Sequence, residues 1–388
     1  MRICLVYDCL FPYTVGGAER WYRRLAERLA AEGHQVSYLT LRQWERGEHG
    51  TVPGVRVIPV GPRMELYAGP GRRRILPPLV FGLGVAWHLL RHGRRYDVVH
   101  TSSFPFFSLL AAGLLRALAR YRLLVDWFEV WTLDYWTSYL GPIGGRVGNA
   151  VQSLCARLPQ EAFCFSRLHA QRLASAGLRS EPTILEGLYD GPREVRDPRP
   201  AEPVLVFAGR HIPEKRVPSL VPAVAELRRT GHDVRAVIFG DGPARDQVQD
   251  LVGELGLEDV ISLPGFVGAQ EVDAALRTAA CMVLPSEREG YGMIVVEAAA
   301  AGIPSVVING EDNAATELIE EGVNGFISPS AAPQDLAAAI QRALSAGPEL
   351  RWSTTAWFRA HAERLSIESS IEQVSSAYSA GRPGSARA

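Results

Sequence analysis

Cys281 to Val307 reads CMVLPSEREGYGMIVVEAAAAGIPSVV, and the order of its parts decides the fold. The apolar run Cys281–Pro285 has the length of one buried strand, and Ser305–Val307 opens another. Between them a glycine-punctuated loop, Glu289–Gly292, leads into Met293–Ala301, a helix-forming run stopped by Gly302 and Pro304. Strand, loop, helix and strand in that order join parallel strands, because a parallel pair needs a crossover and a helix supplies it.

The same alternation extends in both directions. Toward the C-terminus, Gly325–Ile327 is a further strand, and from Pro333 the chain reads as helix almost to Tyr378. The last eight residues, GRPGSARA, lack core-forming side chains and are expected to fray. Toward the N-terminus come Val260–Leu263, Val234–Phe239 and Val204–Ala208, each followed by a helix-like segment. Asp190–Pro203, DGPREVRDPRPAEP, is rich in proline and charge without apolar periodicity, which marks a linker. Before it the pattern runs through Ile3–Asp8, Val36–Leu41, Val55–Val60, Asp97–Ser102, Leu123–Phe128, Ala162–Ser166 and Thr183–Glu186. The clearest helix is Ala18–Ala31, where Trp21, Leu25, Leu29 and Ala30 recur near helical spacing. The expected fold is α/β: two Rossmann-like, doubly wound domains facing each other across a cleft. The first spans 1–190 and the second 200–360, with a C-terminal helix over 361–380 crossing back to pack on the first.

Composition sets the boundaries of function. The chain has 388 residues, 47% hydrophobic and 21% charged, which excludes a disordered or multi-span membrane protein. Its net charge of -1 offers nucleic acid no global attraction, so any anion site is local. The five cysteines (Cys4, Cys9, Cys155, Cys164, Cys281) are odd in number without a CxxC pair, which fits free thiols in a reducing cytoplasm. The N-terminal MRICLVYDCL is a first strand and not a signal peptide, since Asp8 interrupts it and no cleavage site follows. Ile75–Leu90 is apolar and flanked by Arg72, Arg73, Arg74, Arg91, Arg94 and Arg95, but is too short and too broken by Pro and Gly to span a bilayer. It reads either as a helix packed on a sheet with an arginine rim or, second, as a helix lying on an anionic membrane face.

Ligands of such sheets sit beyond the carboxyl ends of the strands, so the loops there carry the chemistry. TVGGAERW places Gly16 and Gly17 before a helix, either a tight turn or an approach for phosphate. GRHIPEKR holds Gly209, Arg210 and Lys215; Lys215 is the only lysine among 41 cationic residues. Arg210 and Lys215 together suit a diphosphate, one as a fork and one as a mobile point charge. In GDGP, Gly240–Pro243, Asp241 is expected to cap the following helix and Gly242 to admit a ligand. In SEREGYG, Gly290 and Gly292 bare backbone N–H groups at a helix start. Glu289 and Glu297 can accept bonds from vicinal sugar hydroxyls, and Glu297, set among small apolar neighbours, is expected to be largely buried.

These residues resemble the retaining glycosyltransferases of family 4, which have the GT-B fold. Glu289 and Glu297 match that family's E-x7-E motif; GGAER, GRHIPEK, GDGP, PGFV (Pro264–Val267) and GVNGFIS (Gly322–Ser328) follow its other signatures in order. The resemblance implies that Arg210 and Lys215 bind the donor diphosphate and stabilise the leaving charge. It implies that Glu289 contacts the donor sugar, with the Gly290, Tyr291 and Gly292 amides near the phosphates and Gly209 and Gly240 among the donor-binding residues. Glu297 would hold the ribose, Phe266 would lie by the base, and Gly17 would approach donor or acceptor. His100 matches one histidine of the family's D-x-x-H-x-H-like run, while Ser102 replaces the second and Phe128 stands where some relatives have histidine. His100 therefore reads as a strand-end residue first and a catalytic one second. Asp126 and Glu129, in DWFEVW, are the acceptor-side candidates, and Trp127, Trp131 and Trp136 are either a stacking platform or core.

The activity so implied is transfer of a sugar from a nucleoside-diphosphate sugar, UDP or GDP before other bases, to an acceptor hydroxyl with retained configuration. No D-x-D motif occurs, so no metal and no cofactor are expected. The acceptor is a lipid, polysaccharide or small molecule, and the expected location is cytoplasmic or peripheral on the inner membrane face. A sugar-nucleotide epimerase and a non-catalytic nucleotide- or glycan-binding module are the competing readings. A dehydrogenase is disfavoured because no dinucleotide fingerprint follows the first strand.

Overall fold

The computed structural model describes residues 1–45, 47–68, 72–194, 197–198 and 200–380. The GRPGSARA tail, and Val195, Arg196 and Arg199 of the linker, lie outside the described residues. The chain forms two compact units. One holds Met1–Ala68, Arg73–Leu188 and the chain from Ile367; the other is built on Tyr189–Ser366.

The first unit is a seven-stranded parallel sheet of β1 (Arg2–Val6), β2 (Gln35–Leu41), β3 (Val55–Gly61), β4 (Val98–Ser102), β5 (Arg122–Trp127), β6 (Glu161–Cys164) and β7 (Thr183–Ile184), ordered β3-β2-β1-β4-β5-β6-β7. Ile3 sits between Val36 of β2 and Val98 of β4 in register. The central strands are uninterrupted apolar runs because helices cover both faces; Ile3, Leu5, Val98, Val99, Leu124 and Val125 are fully buried. The helices are α1 (Gly17–Ala31), α2 (Leu76–His92), α3 (Phe106–Ala119), α4 (Leu133–Ala156) and α5 (Arg167–Ser175). Helix α1 buries Trp21, Tyr22, Leu25, Ala26 and Leu29 along one stripe, each large apolar side chain contributing about 1.5–3 kcal/mol.

The second unit repeats the plan with six parallel strands, β8 (Val204–Ala208), β9 (Arg235–Phe239), β10 (Ile261–Gly265), β11 (Cys281–Leu284), β12 (Ser305–Ile308) and β13 (Gly325–Ser328), ordered β10-β9-β8-β11-β12-β13. Its helices are α6 (Leu220–Arg229), α7 (Arg245–Glu254), α8 (Ala269–Thr278), α9 (Met293–Ala300) and α10 (Pro333–Leu365). Helix α10 breaks at Gly347, whose φ of +57° precedes Pro348. Every strand read from the sequence is present, with ends within two residues. Both sheets reverse direction beside their first strand, between β1 and β4 and between β8 and β11, which is where ligands of doubly wound sheets collect.

The last helix, α11 (Ile367–Ala380), is fastened to the first unit by polar contacts in a dry core. His100 of β4 is fully buried; its Nδ1 shares a hydrogen bond with the Tyr378 hydroxyl at 2.6 Å and its Nε2 one with Asp126 Oδ1 at 2.9 Å. Trp21 Nε1–H donates to the other Asp126 oxygen at 2.8 Å. The Arg122 guanidinium donates to the carbonyls of Ala377 and Tyr378 near the end of α11, at 2.7 and 2.8 Å. Burial pushes the Tyr378 phenol well above its ordinary pKa, so it keeps its proton. Tyr378→Phe leaves a ring nitrogen of His100 without its partner inside the core. Urea unfolding is expected to show a loss of about 1–3 kcal/mol.

Candidate active site

In the second unit the loops leaving β8 and β11 are knitted together by three consecutive residues. Pro213–Lys215 forms a single 3-10 turn, and Arg216 follows at φ +46°, a left-handed conformation uncommon for a residue with a side chain. The turn brings Glu214, Lys215 and Arg216 against the opposite loop. Glu287 N–H donates to the Glu214 carbonyl at 2.9 Å. Arg288 pairs with Glu214 at 3.7 Å, Lys215 Nζ with Glu289 Oε1 at 2.5 Å, and Arg216 with Glu287 at 2.7 Å. Lys215 and Glu289 are the sheltered pair, with side chains 21% and 10% exposed. Water therefore screens their attraction less than it does at the surface.

Asn313, which sequence reasoning missed, supports this loop from below. It is buried, and its amide donates to the carbonyls of Ser286 at 3.0 Å and Ile308 at 2.8 Å, while its oxygen accepts from Ala315 N–H at 3.0 Å. The two-residue segments Arg288–Glu289 and Asp312–Asn313 pair in parallel, fixing the height of Glu289. Its only sequence signal is an asparagine before small residues, AATEL (Ala314–Leu318) being a 3-10 turn that Asn313 caps.

The neighbouring loops interlock by close backbone approach. Gly240 has φ +115°, and a Cβ there would overlap the carbonyl oxygen of Gly209. His211 N–H donates to the Asp241 carbonyl and Ala244 N–H to the His211 carbonyl, both at 2.8 Å. His211 itself is fully buried, which holds its pKa below the ordinary value. Asp241 does not cap the helix as expected: α7 starts later, at Arg245, and the carboxylate accepts from Gly242 N–H at 2.7 Å. The cap is local to the turn because Gly242, at φ +147°, bends the chain before the helix begins.

Around this core the predicted residues take different positions. Arg210 is exposed and engages no ion pair among the described residues. Gly292, at φ +101°, sits at the start of α9, where a Cβ would stand 2.7 Å from that of Ala315; Tyr291 is buried beside it and Gly290 half-buried. Phe266 is 76% exposed. Glu297 is half-buried and not largely buried as expected, because the inward stripe of α9 is taken by Val295, Val296, Ala298 and Ala299. It borders a cavity of about 150 Å³ shared with Tyr189, Asp273 and Arg277. Burial, with Glu297 adding to it, pushes the Tyr189 phenol up to about 12.

In the first unit Gly17 opens α1 behind the extended Gly16. His100, Asp126 and Ser102 are all buried: the first two form the α11 network, and Ser102 Oγ donates to the Phe104 carbonyl at 2.6 Å. Phe128 stacks on Phe165 at 4.6 Å, so the position is part of an aromatic pile. Trp127 and Trp136 are core, whereas half-buried Trp131 stacks near Phe104, at 6.0 Å, and edges Tyr135 and Tyr139. Glu129 accepts from Trp131 Nε1–H at 2.8 Å. The missed residue here is Asp8, fully buried beyond the end of β1 and paired with Arg73. Burial raises its pKa although Arg73 pulls it down. An acidic residue following an apolar first strand was the available signal.

Residues 193–355 match the family model Glycosyl transferases group 1, and residues 16–185 match Glycosyl transferase 4-like domain. Over 371 residues the chain is 31% identical to an uncharacterized glycosyltransferase of Methanocaldococcus jannaschii, covering 89% of each chain. It is 29% identical over 376 residues to glycogen synthase of Mycobacterium tuberculosis, covering 89% of this chain and 86% of that one. Among solved structures, the Anabaena protein HepE, in complex with UDP and glucose, superimposes with a TM-score of 0.72 at 18% identity, covering 98% and 99% of the two chains. Two Rossmann-like units of this kind define the GT-B class. The chain belongs to the glycosyltransferases, and it is an enzyme of that family.

Gly240→Ala is expected to destabilise the protein by about 2 kcal/mol or more, since it meets both a forbidden φ and the Gly209 carbonyl. Gly231→Ala, at φ +93° with nothing within 4 Å of the added Cβ, serves as the control, with an expected loss of about 1 kcal/mol. Thermal or urea unfolding of the two variants side by side checks the difference.

Proposed function

We propose that the enzyme transfers a sugar from a nucleoside-diphosphate donor to an acceptor hydroxyl with retention at the anomeric carbon and without a divalent metal. The observation that carries this reading is the sheltered Lys215–Glu289 pair, with Arg210 exposed nearby, at the switch point of the second sheet. A diphosphate brings acceptor oxygens that compete for Lys215 and takes the Arg210 fork directly. Its displacement of Glu289 from the ammonium frees that carboxylate to accept bonds from the donor sugar's hydroxyls. Gly290–Gly292 at the mouth of α9 would add backbone N–H groups, Glu297 would take the ribose, and Phe266 would lie against the base.

In the reaction the bond between the anomeric carbon and the phosphate oxygen breaks, and the acceptor oxygen bonds to that carbon on the same face. The acceptor proton passes to the departing phosphate oxygen. Charge accumulates on the diphosphate as it leaves, so preplaced cations act most strongly in the transition state. Lys215 and Arg210 then perform the neutralisation that other enzymes give to a metal ion. The UDP of HepE favours UDP as the donor's nucleotide. On the first unit, Glu129, Trp131 and Gly17 are the acceptor-side groups that remain accessible, and His100 and Asp126 act as positioning residues behind them. Five free cysteines support a reducing, cytoplasmic setting.

Lys215→Ala is expected to lower turnover by about two orders of magnitude or more while leaving the circular dichroism spectrum intact. UDP should raise the wild-type melting temperature more than GDP or ADP. Turnover that collapses in EDTA, or a product whose anomeric proton coupling shows inversion, would refute the metal-free retaining mechanism.

A further inference from the structure

Helix α2 is built the wrong way round for a water-facing helix. Leu76 (60% exposed), Leu79 (37%), Leu83 (72%), Trp87 (60%) and Leu90 (62%) follow one another at spacings of three, four, four and three, so they form a single outward stripe along its whole length. Ile75, 63% exposed, extends the stripe by one residue. The opposite stripe, with Phe81, Gly82, Val85 and Leu89, is buried. Gly82 permits close approach to α3, where a Cβ would stand 2.6 Å from that of Phe107. An ordinary surface helix carries polar side chains where this one carries leucine and tryptophan. The packed neighbour α3 adds Leu114 (70%) and Leu118 (62%), one turn apart.

The charge around this face is one-sided. Residues 72–120 contain eight arginines and one acidic residue, Asp97, a net charge of +7 in a chain whose total is -1. Asp97 is moreover engaged by Arg2. Arg73 pairs with Asp8 and Arg74 with Glu65, which leaves Arg91, Arg94, Arg95 and Arg120 as the exposed cations of the two helices and their ends. The Arg91 guanidinium lies over the Trp87 ring, and Arg94 Nε–H reaches the Leu118 carbonyl at 3.4 Å, so cations border the apolar residues of both helices. His88 on the same helix is held down to about 4 by burial, with neighbouring His92 adding to it, and stays neutral at physiological pH.

We infer that the α2–α3 face of the first unit docks on an anionic lipid bilayer, the leucines and Trp87 entering the headgroup–acyl boundary and the arginines meeting lipid phosphates. The helix lies on the bilayer and does not cross it: among the described residues no helix is long and apolar enough to span a membrane. A second copy of the chain fits this face less well. Symmetric dimers bring identical patches together, and here that would oppose two strongly cationic rims. An anionic surface complements both the charge and the apolar stripe, as interfacial helices with arginine flanks do. This inference is independent of the donor chemistry.

The test is sedimentation of the full chain with vesicles of phosphatidylcholine alone and of phosphatidylcholine mixed with phosphatidylglycerol. Binding is expected only to the mixed vesicles, weakening as salt rises. The Leu83→Ser/Trp87→Ser and Arg91→Glu/Arg94→Glu double variants should each lose about tenfold or more in partitioning, with melting temperatures near wild type. Equal binding to both vesicle types, undiminished binding by both variants, or a dimer that buries this face and ignores vesicles would overturn the inference.

Discussion

The ion pair of Lys215 with Glu289 joins segments 74 residues apart, at the one place in the second sheet where neighbouring crossovers run to opposite sides. Two partly desolvated charges are tolerable there only because each supplies the other with a partner. Around them the Glu214–Arg288 and Arg216–Glu287 pairs repeat the same stitching on either side. The arrangement leaves the loops ordered with the sole ammonium of the chain's lysine complement already aimed at a carboxylate. On the proposed reading, an incoming anion would exchange one charged partner for another and would not have to order a free chain.

The two units apply one topology to different ends. In the second, the strand ends around the switch point carry glycines, an exposed arginine and the sheltered pair, leaving backbone and cations accessible. In the first, the corresponding strand ends are closed by the buried Asp8–Arg73 pair and by the His100–Asp126–Tyr378 network. The first unit therefore spends its polar residues on holding helix α11, whose Tyr378 is 278 residues from His100. Beside these closed strand ends, half-buried Trp131 donates its Nε1–H to Glu129.

Local patterns explain why the strands were readable. A parallel strand covered on both faces is an apolar run, and a run is visible without knowing its neighbours. GDGP was equally visible, but its meaning was not: the cap assigned to Asp241 belongs to a turn, and Gly240 is needed for the carbonyl of Gly209 on another strand's loop. Glu297 showed the same limit. Its apolar sequence neighbours suggested burial, yet which stripe of α9 faces inward is set by the sheet behind it.

The sequence alone determined the α/β class, the order of the strands along the chain and the loops that hold Arg210, Lys215 and Glu289. These follow from periodicity and from turn residues, which act over a few positions. Only the tertiary structure decided that Lys215 meets Glu289, that His100 serves a distant tyrosine, and that the apolar stripe of α2 faces outward. Each of those depends on partners brought together, or withheld, by packing between elements far apart in the chain, and no local pattern encodes which face of an element its neighbours will cover.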